Sequence, residues 1–309
     1  MRQQILDFVR RLAGTKQLRE SIEALTQTSA TETVERALWM VRQEYTVMPR
    51  FGFHQPLDYN MDTFPPRFDD AVFVNGVELP LPPPPERMGY SDDNSEYLKW
   101  GKYDHGLLMG QIEKYLGHQE GLSILDFGCS SGRVLRHFWQ QKKSYSWKLA
   151  GVDVQARPIE WMRQNFPTDF RVYVGNTLPH LPFEDNSMDV IYGFSVFTHI
   201  KYQWDAWILE LRRILKPGGL LIQTIHTENA WNFYRAHKDQ PGFRKSHSST
   251  VLDGGEMNIP FFYYGDISVS QVFWKRETAR QYWGRYVDVL DILPPPPEHS
   301  FQDWMICRK

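Results

Sequence analysis

Between residues 123 and 226 short apolar runs alternate with stretches of helical period, and this alternation limits the fold more than any other feature of the chain. Strand-like runs fall at 123–128, 148–154, 170–175, 188–195 and 219–226, with helical stretches at 132–141, 157–165 and 204–215 between them. A strand, a crossover helix and a second strand pair in parallel, so the pattern predicts an α/β fold with a doubly wound, mostly parallel sheet. The third helix is the best defined. Trp207, Leu211, Ile214 and Leu215 make an i, i+4, i+7, i+8 stripe, and Lys216-Pro217-Gly218-Gly219 stops it. Two later apolar runs, 287–293 and 303–307, follow a helix near 277–286, are joined by a proline-rich stretch, and predict a closing antiparallel pair.

The flanking regions read differently. Residues 1–48 carry apolar residues at helical spacing, for example Ile5, Phe8, Val9 and Leu12. Val72-Phe73-Val74, Asn75-Gly76 and Val77-Glu78-Leu79 form a two-residue hairpin signal. The run from Pro80 to Pro85 reads as a stiff extended segment, either a hinge or a docking motif for a proline-binding partner. The expected organisation is an N-terminal helical and proline-rich appendage over 1–90, then a main domain over 91–309. Within that domain 227–268 is an irregular insertion of the length that often covers a cleft.

Composition excludes more than it selects. A formal charge of -2 and a pI near 6.6 give no basic field for duplex nucleic acid, so nucleic acid is not the expected partner. Asp7, Arg10 and Arg11 interrupt the first apolar stretch, and no run approaches the length of a membrane span. Two cysteines, Cys129 and Cys307, make neither a disulfide framework nor a zinc site, and the expected location is the cytoplasm. No metal site is expected. The aromatic share of 15%, with 11 Trp, fits a cleft lined with rings and a Trp-rich core equally well.

The first strand runs into Gly128-Cys129-Ser130-Ser131-Gly132, residues small enough for a ligand to approach the backbone at the strand's carboxyl end. Ser130 and Arg133 stand where a dinucleotide fingerprint needs its second and third glycines, which disfavours pyrophosphate. The next strand ends on Asp153, placed to accept hydrogen bonds from ribose hydroxyls. Cys129 is read as a small loop residue rather than a nucleophile.

From about Tyr97 onward the chain resembles the class I S-adenosylmethionine-dependent methyltransferases. Leu125 to Arg133 is similar to their glycine-rich first motif, Gly151-Val152-Asp153 to their ribose-binding acid, and Leu211 to Gly219 to their fifth motif. The departure is Ser130, where glycine is commoner. The resemblance implies a seven-stranded, Rossmann-like sheet with the last strand antiparallel and S-adenosylmethionine as cofactor. It also implies that Gly128, Cys129, Ser130 and Gly132 flank the cofactor's amino acid part and that Asp126 anchors this loop. Asp153 and Val154 would border the ribose, Asn176 would meet the adenine's exocyclic amine, and Phe194 and Ser195 would border the methionine part. Arg133 would either pair with the cofactor carboxylate or sit on an outer helix face, and Tyr97 would cover the cofactor or pack its helix.

The expected reaction is methyl transfer to a small molecule or glycan intermediate, at a hydroxyl; a catalytically silent cofactor-binding scaffold is the alternative. A hydroxyl acceptor needs a base, and His199 and His226 each follow a strand that ends at the reaction edge. The segment Phe194-Ser195-Val196-Phe197 lacks the Asp/Asn-Pro-Pro-Tyr pattern of base-amino methyltransferases.

Overall fold

The computed structural model describes residues 71–87, 90–238, 255–264, 271–295 and 301–309. Its main sheet is built from β1 (Ser123–Phe127), β2 (Lys148–Asp153), β3 (Phe170–Val174), β4 (Met188–Gly193), β5 (Leu215–Ile225), β8 (Asp288–Leu293) and β9 (Asp303–Arg308). These seven strands lie in the order β3-β2-β1-β4-β5-β9-β8. The pairs from β3 to β5 are parallel, and β9 is antiparallel to both β5 and β8, as the sequence pattern implied. The order reverses between β1 and β4, and in open α/β sheets the crevice outside the strand ends at that point takes the ligand.

Strand alternation sorts the core into two layers. Ile124, Leu149, Val190, Tyr192, Leu220, Ile222 and Ile306 face one side with α1 (Asn94–Leu116) and α3 (Ala156–Asn165). Leu125, Ala150, Ile191, Leu221 and Met305 face the other, against α4 (Trp204–Ile214) and α6 (Arg276–Trp283). Both faces of β1 are buried, which is why its sequence reads as a continuous apolar run broken only by Asp126. The α4 stripe is as expected except at its end: Leu215 is already the first residue of β5.

Three expectations are corrected. The helix expected over 132–141 is a 3-10 turn, Leu135–Phe138, followed by α2 (Trp139–Tyr145). Gly132 has a φ of 78°, which breaks the helical run, and both Arg133, before the 3-10 turn, and Arg136, within it, are buried. The proline run is not wholly extended, because Pro84–Arg87 forms a 3-10 turn whose first positions need no N–H donor. Residues 227–268 are not uniformly irregular: α5 (Glu228–His237) is capped by Thr227, and β6 (Phe261–Tyr264) pairs with β7 (Gln271–Trp274). Residues 239–254 and 265–268 of that insertion, like the helices expected in 1–48, lie outside the described residues.

Of the expected appendage only 71–87 and Tyr90 are described. The expected hairpin is present as a bridge between Val72 and Leu81. In this stretch Leu79 joins the core, Arg136 donates to the Leu79 and Pro80 carbonyls, and Arg157 pairs with buried Glu86. Among the described residues no helix is long and apolar enough to cross a membrane.

Gly193 ends β4 in a space with no room for a side chain. A Cβ there would lie 2.4 Å from Gln223 Oε1 and 2.7 Å from the Phe127 carbonyl oxygen. Gly193→Ala should therefore cost about 1–3 kcal/mol of stability through overpacking. Urea denaturation checks this; an unchanged midpoint would show that β4 can shift freely against β1 and β5.

Candidate functional site

The loop after β1 is folded by its own backbone donors. Gly128 and Cys129 N–H both donate to the Val152 carbonyl, at 2.8 and 3.1 Å, and Gly132 N–H closes back on Cys129 O at 2.8 Å. Ser130 N–H donates to Asp153 Oδ2 at 2.8 Å, joining the loop to the end of β2. This requires positive φ at Gly128 (85°), Ser130 (48°) and Gly132 (78°). Ser130 accepts a cost of about 1–2 kcal/mol for that conformation, which the Asp153 bond offsets. A Cβ at Gly128 would lie 2.3 Å from Val196 Cγ2, so glycine is required there for space as well as for conformation.

Cys129 is buried below the loop against Gly151, and burial pushes its thiol far above the usual range, so it serves as a small packing residue and not as a nucleophile. Asp126 departs from expectation. It does not hold the loop: its Oδ2 accepts from the Tyr192 hydroxyl at 2.8 Å, tying β1 to β4. Burial pushes its carboxyl up to about 7.

Asp153 carries the clearest ligand geometry. Oδ2 accepts from Ser130 N–H at 2.8 Å and Oδ1 from Gln155 N–H at 2.9 Å, and Val154 N–H is a third backbone donor to the carboxylate, one fewer than it can accept. Burial raises its pKa, and the backbone donors oppose that shift. Asn176 is 3% exposed, and its Oδ1 accepts from Leu178 N–H at 2.6 Å. Its Nδ2 has no partner within the protein. The group left over is thus a donor, suited to a ring nitrogen rather than to the exocyclic amine expected from the sequence.

Arg133 points inward, which removes the outer-face alternative. Its guanidinium pairs with Asp104 at 2.7 Å and stacks over Tyr90 at 4.1 Å, while Nη1 has no protein partner. Tyr97 is buried with its hydroxyl 3.3 Å from Ser131 Oγ, so it packs α1 onto the loop. At the end of β4 Phe194 meets Trp304 edge to face, and Ser195 adopts a φ of 58° with its N–H on Thr224 Oγ1 at 2.7 Å.

The two histidines separate. His199 is exposed in a turn, its N–H donating to Val196 O at 2.9 Å. His226 is 1% exposed, packed among Phe273, Tyr234 and Phe301 at ring separations of 5.0–5.5 Å. Gln302 links it to the end of β4: its Nε2 lies 2.7 Å from Ser195 Oγ and 3.5 Å from His226 Nε2. Gln302, Tyr90, Asp104 and Tyr234 escaped the sequence reading. No sequence signal marked Gln302: the observed register pairing Ile225 with Asp303 sets residue 302 opposite residue 226. Among the described residues no group of three or more His, Cys, Asp or Glu is arranged to hold a metal ion.

A glycine loop at the switch point of a doubly wound sheet, with an acid at the end of the next strand, defines a nucleotide-type cofactor site. Residues 125–223 match the methyltransferase domain family. The chain is similar to a tRNA N(3)-methylcytidine methyltransferase of Drosophila melanogaster, 35% identical over 107 residues, covering 32% of this chain and 33% of that protein. It is also similar to a fatty-acid O-methyltransferase of Mycolicibacterium smegmatis, 23% identical over 170 residues, covering 55% and 58%. A solved S-adenosylmethionine-dependent methyltransferase from Aquifex aeolicus aligns at a TM-score of 0.47 and 14% identity, covering 74% of this chain and 98% of that one. The chain thus spans between a third and somewhat over half of these two curated relatives. Residues 125–223 are thus a methyltransferase domain, and S-adenosylmethionine is its cofactor. The residues present fit that group: the acceptor capacity of Asp153 and the unpartnered donors of Asn176 and Arg133 offer what its ribose, base and carboxylate need.

Two outcomes follow. Asp153→Ala should weaken S-adenosylhomocysteine binding roughly 10–150-fold, since hydrogen bonds to a charged group contribute about 1.5–3 kcal/mol; calorimetry showing unchanged affinity in a folded variant would remove the ribose assignment. Asp126 holds its proton up to about pH 7 when folded, against about 3.9 when unfolded. Folding therefore takes up a proton between those values, and this group's contribution to stability falls as pH rises from about 4 to about 7. Asp126→Asn keeps an acceptor for Tyr192 and should flatten that part of the curve; identical pH slopes in urea titrations of the two proteins would contradict it.

Proposed function

We propose that the protein transfers the methyl group of S-adenosylmethionine to a hydroxyl of a small molecule or glycan intermediate, with His226 as the base. When bound, the cofactor supplies a methyl carbon on a sulfonium, whose carbon–sulfur bond breaks with its electron pair left on sulfur as the acceptor oxygen bonds to carbon. The chain's own part is to hold the reactants in line and to take the hydroxyl proton on His226. Orientation of this kind can contribute on the order of 7–11 kcal/mol.

The observation that carries the reading is the Ser195–Gln302–His226 chain, which places a buried imidazole at the carboxyl edge of β4 and β5. His199, the other candidate, has its side chain in solvent. The acceptor side is assigned to 227–268 and to the described part of the 1–90 appendage. In support, Trp274 N–H bonds to His226 O, Val272 N–H bonds to Thr198 O, and Tyr90 covers Arg133. The buried free thiols Cys129 and Cys307 agree with a cytoplasmic location. Relatives that act on tRNA cytidine, a fatty acid or a sterol span several acceptor atoms, so the hydroxyl rests on His226 and not on them.

The test incubates the protein with labelled S-adenosylmethionine and, in separate arms, a metabolite extract and total tRNA. Label in a small hydroxylated product supports the proposal, label in tRNA replaces the acceptor class, and tight cofactor binding with no label in either favours a silent scaffold. On the product identified, His226→Ala should lower turnover about 10²–10⁴-fold with cofactor affinity nearly unchanged, and His199→Ala only a few-fold. A small loss in both variants would leave catalysis to proximity alone.

A further inference from the structure

The segment before α1 is closed around one arginine. Arg87 is 1% exposed; its Nε donates to the Pro82 carbonyl at 2.9 Å, its Nη1 to the Ser91 and Asp92 carbonyls at 3.1 and 2.9 Å, and its Nη2 to Asn94 Oδ1. The guanidinium lies 4.9 Å from the centre of the Tyr97 ring, and the Tyr97 hydroxyl meets Ser131 in the loop after β1. Tyr90 N–H donates to Arg87 O at 3.1 Å, which fixes the backbone of the one residue in this segment whose ring reaches Arg133.

Arg133 is 6% exposed, and its surroundings are complete except at one nitrogen. Asp104 takes Nη2 at 2.7 Å, the Tyr90 ring lies 4.1 Å from the guanidinium carbon, and the Phe194 ring lies 6.0 Å from it. Tyr97, Asp126 and His137 are near enough to feel its charge. Nη1 has no protein partner. A guanidinium carries five donors, so one carboxylate does not exhaust it, and a second carboxylate is the group that matches the free edge.

Resting on the cofactor reading of Arg133, and independent of the acceptor, we propose that Tyr90 is a positioning residue for the cofactor's carboxylate and makes the site select nucleosides that carry an amino acid chain. The ring acts in two ways. Stacking holds the planar guanidinium in one orientation, so little freedom is lost when Nη1 pairs. The same ring keeps water from the guanidinium face, and an ion pair screened less by water is stronger. Asp104 and Phe194 contribute to the same orientation, but Tyr90 alone comes from the segment before α1, and it can be changed without breaking the buried Arg133–Asp104 pair.

Calorimetry on the full chain tests this with two probes: S-adenosylhomocysteine, and 5′-methylthioadenosine, which keeps the nucleoside and the thioether but lacks the amino acid. The wild type should prefer the first. Tyr90→Ala should weaken S-adenosylhomocysteine roughly 2–30-fold, the range of a cation–π contact, and leave 5′-methylthioadenosine within about twofold. Tyr90→Phe keeps the ring and should bind both as the wild type does; Tyr90→Leu keeps bulk without the ring and should fall between Phe and Ala. A ring that only packs the segment would lower both affinities together, and that result, like no change in either, would overturn the proposal. A wild type that prefers S-adenosylhomocysteine while Tyr90→Ala keeps the same preference would sink the role of Tyr90 alone. A wild type that binds both probes equally would remove the carboxylate from Arg133 and the proposal with it. Each of these results is a binding result, so the label-transfer test of the methyl acceptor stands or falls separately.

Discussion

The bond from Ser130 N–H to the Asp153 carboxylate organises the cofactor end of the molecule. It closes the loop after β1 onto the end of β2, and the Gly128 and Cys129 donors to Val152 hold the same two strands together one step earlier. The left-handed residues of the loop are tolerable only with these bonds in place. Asp153 thus does two things with one side chain: it satisfies the loop, and it keeps acceptor capacity to spare.

A second set of constraints comes from buried charge. Arg133 and Asp104 are a nearly solvent-free pair between the loop and α1, and removing either partner from such a pair costs about 3–5 kcal/mol because the other is left uncompensated. Tyr90 and Phe194 lie over the guanidinium, so the segment before α1, the loop and the end of β4 meet on one side chain. Asp126, one layer deeper, receives a hydroxyl hydrogen from Tyr192 and favours its neutral form there.

The corner around His226 is built by chain that returns from elsewhere. The hairpin of β6 and β7 is tied to Thr198 and His226 by backbone bonds, α5 brings Tyr234, and the approach to β9 brings Gln302. Phe233 and Phe301 stack at 4.4 Å over this corner, and a good part of the aromatic content of the chain is spent here as a wall around one imidazole. The Asp153 end and the corner around His226 are separated along the sheet edge, with Phe194 and Ser195 between them.

Local pattern alone determined the strands from β1 to β5, the α4 stripe, the antiparallel closure by β8 and β9, and the glycine loop with Asp153. Each of these depends on period, turn residues or spacing within one supersecondary unit, and such signals are complete before the chain folds. The inward sides of Arg133 and Arg136 and the burial of His226 beside an exposed His199 were not legible in this way. Their common cause is that each depends on a partner far away in sequence: Leu79 and Pro80 for Arg136, Asp104 for Arg133, Gln302 and Phe273 for His226. A side chain's role is set by what is packed against it, and only the tertiary structure brings those neighbours together.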